Sequence, residues 1–356
     1  MATLYRPVTQ TIKLRRYMLI SPIFIVGNSR SGTTLLARSL SKHTQVHILK
    51  ETHFLSSYEE QRKYFSQLKQ QDRIHLINLL LTVEYRGINY KNEYHKYSGE
   101  AKELYTLCAE CETFSSFLSI FFKYVVDKKG KIICGDQTPS HIFYIEDILE
   151  LFPNARFINI VRDPRAVLLS QKNKWKAAKK MGQPVSEVVR TFFNYHPITT
   201  SLLWKKGVEA GRQANSDFPS HVFHTLKFEQ LLEEPGPVLK ELCSFIEVEF
   251  ENGMLDIDVA MSSNETDEGK KGIRREVMNH WRKRLSGTEI FISERINGKL
   301  LEKEGYQLAR AKTGIFSLLF YTCYFPLHLA MAFLFNMNRV RNPISYISKK
   351  LIPYNH

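Results

Sequence analysis

Between Phe24 and Leu36 the chain reads F-I-V-G-N-S-R-S-G-T-T-L-L, an apolar strand-like run that passes through two glycines into the start of a helical pattern. A junction of this kind aims backbone N–H groups and the positive end of a helix at one point, so it is suited to hold an anion, phosphate above all. The nucleotide-binding frame G-x-x-x-x-G-K-[ST] is met at Gly27, Gly32 and Thr34, but Thr33 stands where the lysine belongs. A kinase or ATPase would lose the cation that reaches the β- and γ-phosphates, whereas a donor without that phosphate chain does not need it there. The cation of this loop is Arg30.

Short apolar runs of β type recur at 22–26, 45–49, 131–134, 156–161 and 221–226. Helical periodicity occupies 33–40, 57–81 and 100–127 between them. Strands alternating with helices predict an α/β fold, a P-loop-like three-layer architecture whose central, mainly parallel sheet of about five strands is flanked by helices. One catalytic domain is expected over 22–310, preceded by an extension over 1–21 and followed by a tail over 311–356. The charged, glycine-rich stretch 264–275 reads as a loop, followed by a short amphipathic stretch around Trp281 and a helix over 288–303.

Lys and Arg outnumber Asp and Glu by 50 to 36, a net charge of +14 that favours anionic partners. The basic residues are dispersed, with modest groups at 172–180 and 270–284, so no nucleic-acid partner is expected. Five scattered cysteines do not form a disulfide framework and suit a reducing compartment. Cys108 and Cys111 make a C-x-x-C, but without a second pair, and Leu104, Leu107, Phe114 and Phe117 around them follow a helical apolar stripe; no metal is expected. Residues 1–21 hold no continuous apolar run, which argues against a signal peptide and for a cytoplasmic protein. Residues 315–335 are uncharged and almost wholly apolar, and as a helix would extend ~30 Å, about a bilayer core. Arg339, Arg341, Lys349 and Lys350 follow without an acid. The sequence leaves two readings for this segment: membrane association, spanning or interfacial, and a helix kinked at Pro326 that is buried or covered by a partner.

The glycine loop, together with Arg162-Asp163-Pro164-Arg165 and Ser170 eight residues after Arg162, resembles the donor site of sulfotransferases that use 3′-phosphoadenosine-5′-phosphosulfate (PAPS). R-S-G-T-T-L-L is closest to the branch that contains tyrosylprotein sulfotransferases and related bacterial enzymes. The resemblance implies that Asn28, Ser29, Arg30, Ser31, Gly32, Thr33 and Thr34 hold the 5′-phosphosulfate, and that Arg162 and Ser170 hold the 3′-phosphate. An arginine fork and a hydroxyl suit a terminal phosphate. Lys271-Gly272 and Trp281-Arg282 are similar to landmarks of the family's last cofactor loop, and the resemblance implies Arg274 as a further phosphate ligand.

The same resemblance implies in-line sulfuryl transfer to a hydroxyl or amine, with Arg30 neutralising charge on the bridging oxygen and Glu51 as the base. Glu51 follows Arg30 by the interval that separates base and loop arginine in the tyrosylprotein enzymes. His53 is the competing base, because in an extended segment it would share a face with Glu51. Gly135-Asp136-Gln137-Thr138-Pro139 resembles G-[DE]-K-T-P, with Gln137 in place of the lysine, and Lys227-Phe228-Glu229-Gln230-Leu231 resembles a degraded Y-E-D-L expected to pack and not to react. The acceptor is left open among glycan, lipid, peptide tyrosine and small molecule. Two rivals stand beside this reading: a P-loop kinase or NTPase, weakened by Thr33 and by the lack of a clear Walker B acid, and a non-catalytic basic module for membrane or nucleic acid.

Overall fold

A computed structural model of the chain describes residues 21–256 and 278–337, with backbone alone at 91 and 92. Five strands form one sheet in the order β2-β3-β1-β4-β5: β1 Ile23–Gly27, β2 Val46–Leu49, β3 Ile133–Asp136, β4 Arg156–Val161 and β5 Phe223–Lys227. Every pairing is parallel. Parallel strands need crossover connections, and the helices that supply them cover both faces.

The layering follows from the period of two along each strand. On β1, Phe24 and Val26 point into one core with Phe54, Phe122, Phe152 and Phe157, while Ile23 and Ile25 point into the other with Leu36, Leu40, Ile158 and Leu231. Phe24 is fully buried and stacks on Phe157 at 5.6 Å, so Phe24→Ala would cost roughly 3–5 kcal/mol. The first core is closed by the helices Gln70–Arg86, Ser98–Cys108 and Phe114–Lys128, the second by Thr33–Lys42 and Pro235–Phe245.

Three sequence expectations shift. The run 57–81 is a chain of short elements, the helices Phe54–Ser57 and Glu59–Lys63 and a 3-10 turn at Phe65–Gln67, before a long helix restarts at Gln70. Asp72 Oδ2 accepts from the Lys69 N–H at 3.3 Å and so caps the restart. The run 100–127 is two helices, broken where Thr113 Oγ1 accepts from the Ser116 N–H at 3.1 Å. Cys108 closes the first and Cys111 lies in the break, both buried in the core, and burial pushes the Cys108 thiol up to about 12. The third strand starts and ends two residues later than its apolar run, so Gly135 and Asp136 belong to the sheet. A Cβ at Gly135 would fall 2.4 Å from the Ile23 carbonyl oxygen, so only glycine admits β1 and β2 on either side.

Candidate active site

All five strands end at one edge of the sheet, and β1, at its centre, lies where the crossovers divide to the two sides, the usual position of a ligand crevice in such folds. The loop after β1 is held by close backbone approach. A Cβ at Gly27 (φ 128°) would fall 2.6 Å from the Ile160 carbonyl oxygen of β4, and one at Gly32 (φ 104°) would strike the Phe228 ring at 2.2 Å. Asn28 Nδ2 donates to the Trp204 carbonyl at 2.9 Å, and the Ser31 N–H donates to the Asn28 carbonyl at 3.2 Å, closing the turn. Arg30 sits at φ 74°, a left-handed conformation that costs a non-glycine residue on the order of 1–3 kcal/mol. The following helix, Thr33–Lys42, has no side-chain cap and no acid in its first turn, so its positive end faces the loop unneutralised. Ser31 Oγ is buried without a partner among the described residues.

The loop after β4 separates two arginines that the sequence sets side by side. Arg165 is structural: it forks onto Asp163 at 2.9 and 2.7 Å, reaches Glu294 Oε1 and the Gln307 carbonyl at 2.7 and 2.8 Å, and lies over the Trp281 ring at 4.1 Å. Arg162 instead turns toward the phosphate loop. Its Nη1 donates to the Arg30 carbonyl at 3.0 Å, its guanidinium lies over the Phe228 ring at 4.4 Å, and its Nε has no partner among the described residues. Burial lowers the Arg162 pKa and neighbouring Arg30 adds to this, against the pull of Glu229. Phe228 thus supports Gly32 and Arg162 together, and Glu229 accepts from the Asp163 N–H at 3.0 Å, so the 227–231 segment packs directly beneath the site.

The loop after β1 meets the helix after β4 through a side chain on each. Arg30 Nε donates at 3.0 Å to Ser170 Oγ, which stands on the helix Pro164–Lys172. Burial lowers the Arg30 pKa, while the charge of Glu51 raises it. Glu51 Oε2 lies 3.3 Å from His53 Nε2. His53 takes φ 51°, so the segment is not extended there and the two candidate bases are neighbours by a turn. A clamp fixes this turn: Asp136 at the end of β3 accepts from Thr52 Oγ1 at 2.6 Å and from the Thr52 N–H at 3.2 Å, and the His53 N–H donates to Thr138 Oγ1 at 3.3 Å. Burial alone would raise the Asp136 carboxyl, but His141, 3.2 Å away, with Thr52 and Thr138, holds it below its ordinary value. Gln137, in the lysine position of the resembling motif, is buried with its Oε1 unpartnered among the described residues.

Sequence reasoning singled out neither the Asp136–Thr52 clamp nor Lys174. Lys174 follows Ser170 by four residues, across the break at Asn173, and opens the helix Lys174–Lys180. Its pKa is pushed down to about 8 by burial first and then by Arg30 and Arg190, with Glu51 and Glu187 opposing. Only the spacing from Ser170 signalled it, and that spacing means little until Ser170 is known to touch Arg30. Of the residues expected at the site, 28–34, Glu51, Arg162 and Ser170 gather at one sheet edge, and Arg274 lies outside the described residues. Three cationic side chains, an open helix terminus and an unpartnered buried hydroxyl together fit a ligand with two separated anionic groups.

These features lie together at the switch point of a parallel α/β sheet, and the chain belongs to the sulfotransferase family, whose sequence profile matches residues 22–252. Among curated relatives, omega-hydroxy-beta-dihydromenaquinone-9 sulfotransferase of Mycobacterium bovis is 29% identical over 252 residues, 62% of this chain and 61% of the relative. A putative protein-tyrosine sulfotransferase of Caenorhabditis briggsae is 22% identical over 236 residues, 65% of this chain and 68% of that one. An uncharacterized protein of Aquifex aeolicus is 24% identical over 286 residues, 78% of this chain and 32% of the relative. The chain thus spans between about a third and two thirds of the length of these relatives. Among solved structures, the sulfotransferase domain from the curacin biosynthetic pathway superposes with a TM-score of 0.47 at 19% identity, covering 82% of this chain and 99% of that one.

Proposed function

We propose that this protein transfers a sulfuryl group from PAPS to a hydroxyl or amine acceptor and releases 3′-phosphoadenosine-5′-phosphate (PAP). The observation that carries the reading is the joining of the two halves of the site, Arg30 to Ser170 through a side-chain hydrogen bond and Arg162 to the Arg30 carbonyl through another. A loop built for one phosphate group would not need the second arginine held against its backbone.

The donor supplies the sulfuryl group on a bridging oxygen that gains charge as its bond to sulfur breaks. Residues 28–34 bind the 5′-phosphosulfate through backbone N–H groups and hydroxyls, and Arg30 balances the charge that develops. Arg162 and Ser170 hold the 3′-phosphate by charge-assisted hydrogen bonds, with Arg274 a further ligand from the segment outside the described residues. Glu51 takes the acceptor proton, and His53 orients the carboxylate from 3.3 Å. Lys174 adds a cation at the acceptor side, near both Arg30 and Glu51. Positioning and charge carry most of the catalysis, as in phosphoryl transfer.

The test is calorimetric binding of PAP, AMP and ATP to the full chain and to Arg162→Ala. Binding that requires the 3′-phosphate and falls at least tenfold in the variant is expected; equal or absent binding of all three nucleotides would overturn the reading.

A further inference from the structure

The helix Ile315–Leu334 is turned inside out relative to an ordinary surface helix. Its inward stripe carries the polar groups. Tyr321 and His328 lie 5.7 and 4.7 Å from the His196 ring, Ala332 is fully buried, and Asn336, just past the helix end, accepts from Arg190 Nη1 at 3.0 Å. Its outward stripe is apolar: Ile315, Phe316, Leu319, Phe320, Leu327 and Leu334 are each more than half exposed, Phe316 at 85%. The adjoining helix Val185–Phe193 adds Val185 and Phe192, also mostly exposed. A contiguous apolar face of this size on a folded domain marks something that covers it.

Charge identifies the cover. Glu304 is the last acid of the chain, and the residues after it carry six cations: Arg310, Lys312, Arg339, Arg341, Lys349 and Lys350. A second copy would bring the same charge against itself, whereas an anionic lipid surface complements it at roughly 1 kcal/mol per nearby basic residue. The inward stripe touches the domain from one end of the helix to the other, beginning with Thr313 Oγ1 on Thr288 Oγ1 at 2.8 Å. A perpendicular span would strip His196, Arg190 and Asn336 from these contacts, so the helix lies along the surface with one face about 5–10 Å deep.

The same contacts lead to the chemistry. Phe335 at the end of the apolar helix stacks on Phe193 at 4.7 Å, and the neighbouring Phe192 meets Trp175 at 5.8 Å, the residue beside Lys174 and only five positions beyond Ser170. Resting on the transfer reading above, we infer that residues 315–334 dock in the plane of an anionic membrane and that the acceptor is a lipid-borne hydroxyl, presented to Glu51 from the bilayer. No step is added to the transfer itself: the hydroxyl oxygen bonds to sulfur, the sulfur–oxygen bond to the donor phosphate breaks, and the proton goes to Glu51.

The experiment uses the full chain, sedimented with vesicles of phosphatidylcholine alone and of phosphatidylcholine with 30% phosphatidylglycerol, beside Phe316→Ser/Leu319→Ser/Phe320→Ser. These side chains face outward, and PAP binding and circular dichroism report whether the variant is folded. Expected is at least tenfold preference for the anionic vesicles, loss of binding in the folded variant, and release of bound wild-type protein by carbonate at high pH. Equal binding of the folded variant, or an apolar-face-dependent dimer that ignores vesicles, overturns the docking; resistance to carbonate overturns the in-plane arrangement. Labelled sulfate is then followed from PAPS to 4-octadecyloxyphenol in the vesicles and to 4-methoxyphenol in solution. Faster labelling of the anchored phenol by wild type, lost in the variant, is expected, and equal labelling of both overturns the lipid acceptor. Vesicle binding without PAP binding would remove the donor reading and leave the docking standing.

Discussion

Arg30 Nε donates to Ser170 Oγ at 3.0 Å, joining residues 140 positions apart, one on the loop after β1 and the other on the helix Pro164–Lys172 that follows β4. The bond makes the two halves of the proposed donor site one unit: a ligand that draws the guanidinium also draws the hydroxyl. Arg30→Ala should lower turnover by about 10²–10³, the usual loss when one donor to a developing oxyanion is removed. Ser170→Ala should chiefly weaken PAP, by roughly tenfold. Because the residues share a bond, the double variant should lose less than the product of the two single losses, and a thermodynamic cycle on PAP affinity checks it.

Glu51→Gln should reduce turnover by about 10²–10⁴, the range for a lost general base, while PAP affinity changes little. His53→Asn should cost less, because it removes a group that orients the carboxylate. Single-turnover rates with calorimetric PAP binding separate the two effects. A larger loss in His53→Asn than in Glu51→Gln would exchange their roles.

Thr52→Val should harm both fold and rate. It takes away the 2.6 Å hydroxyl bond to buried Asp136, and a buried acceptor deprived of a partner costs about 1–3 kcal/mol. The Asp136 carboxyl is held below its ordinary value in the folded chain, so its contribution is present above the unfolded carboxylate pKa and is lost as pH falls through the folded one. Urea unfolding from pH 7 downward should show the wild type losing more stability than Thr52→Val over that acid window.

Lys174 gives the opposite sign. Its folded pKa is about 8 against an ordinary 10.5, so between these values the unfolded chain binds a proton that the folded chain has released. The cost of charging Lys174 is therefore present in full below pH 8, and stability rises with pH up to about 10.5. A bound polyanion favours the charged form, so PAP binding near pH 8 should take up protons. Calorimetry in two buffers of different ionisation enthalpy measures the uptake, and Lys174→Met should abolish it.

The sequence by itself determined the sheet and the loop. Alternating apolar runs and helical periods specify parallel strands covered on both faces, because only crossover helices can join them. Gly27 and Gly32 specify the turn, since each takes a positive φ that glycine adopts without strain. These are local constraints, written in neighbouring residues. Helix breaks near Leu68 and Ala109 were less legible, because apolar periodicity continues across them and only the caps at Asp72 and Thr113 mark the interruption.

Tertiary structure alone decided which charges serve the site. Arg162 and Arg165 are three positions apart and chemically identical, yet Arg165 is consumed by Asp163, Glu294 and Trp281 while Arg162 is left facing Arg30. Glu51 and His53 stood as alternatives on one extended face, and the left-handed turn held by Asp136 makes them a pair. Lys174 gained a low pKa by burial first and then by being carried into the field of Arg30 and Arg190. Composition marked residues 315–335 as apolar, but which face meets the protein depends on His196 and Arg190, more than a hundred residues earlier. Conformational preference is a property of neighbours in the chain; desolvation and pairing of charge belong to neighbours in space, which no short window of sequence contains.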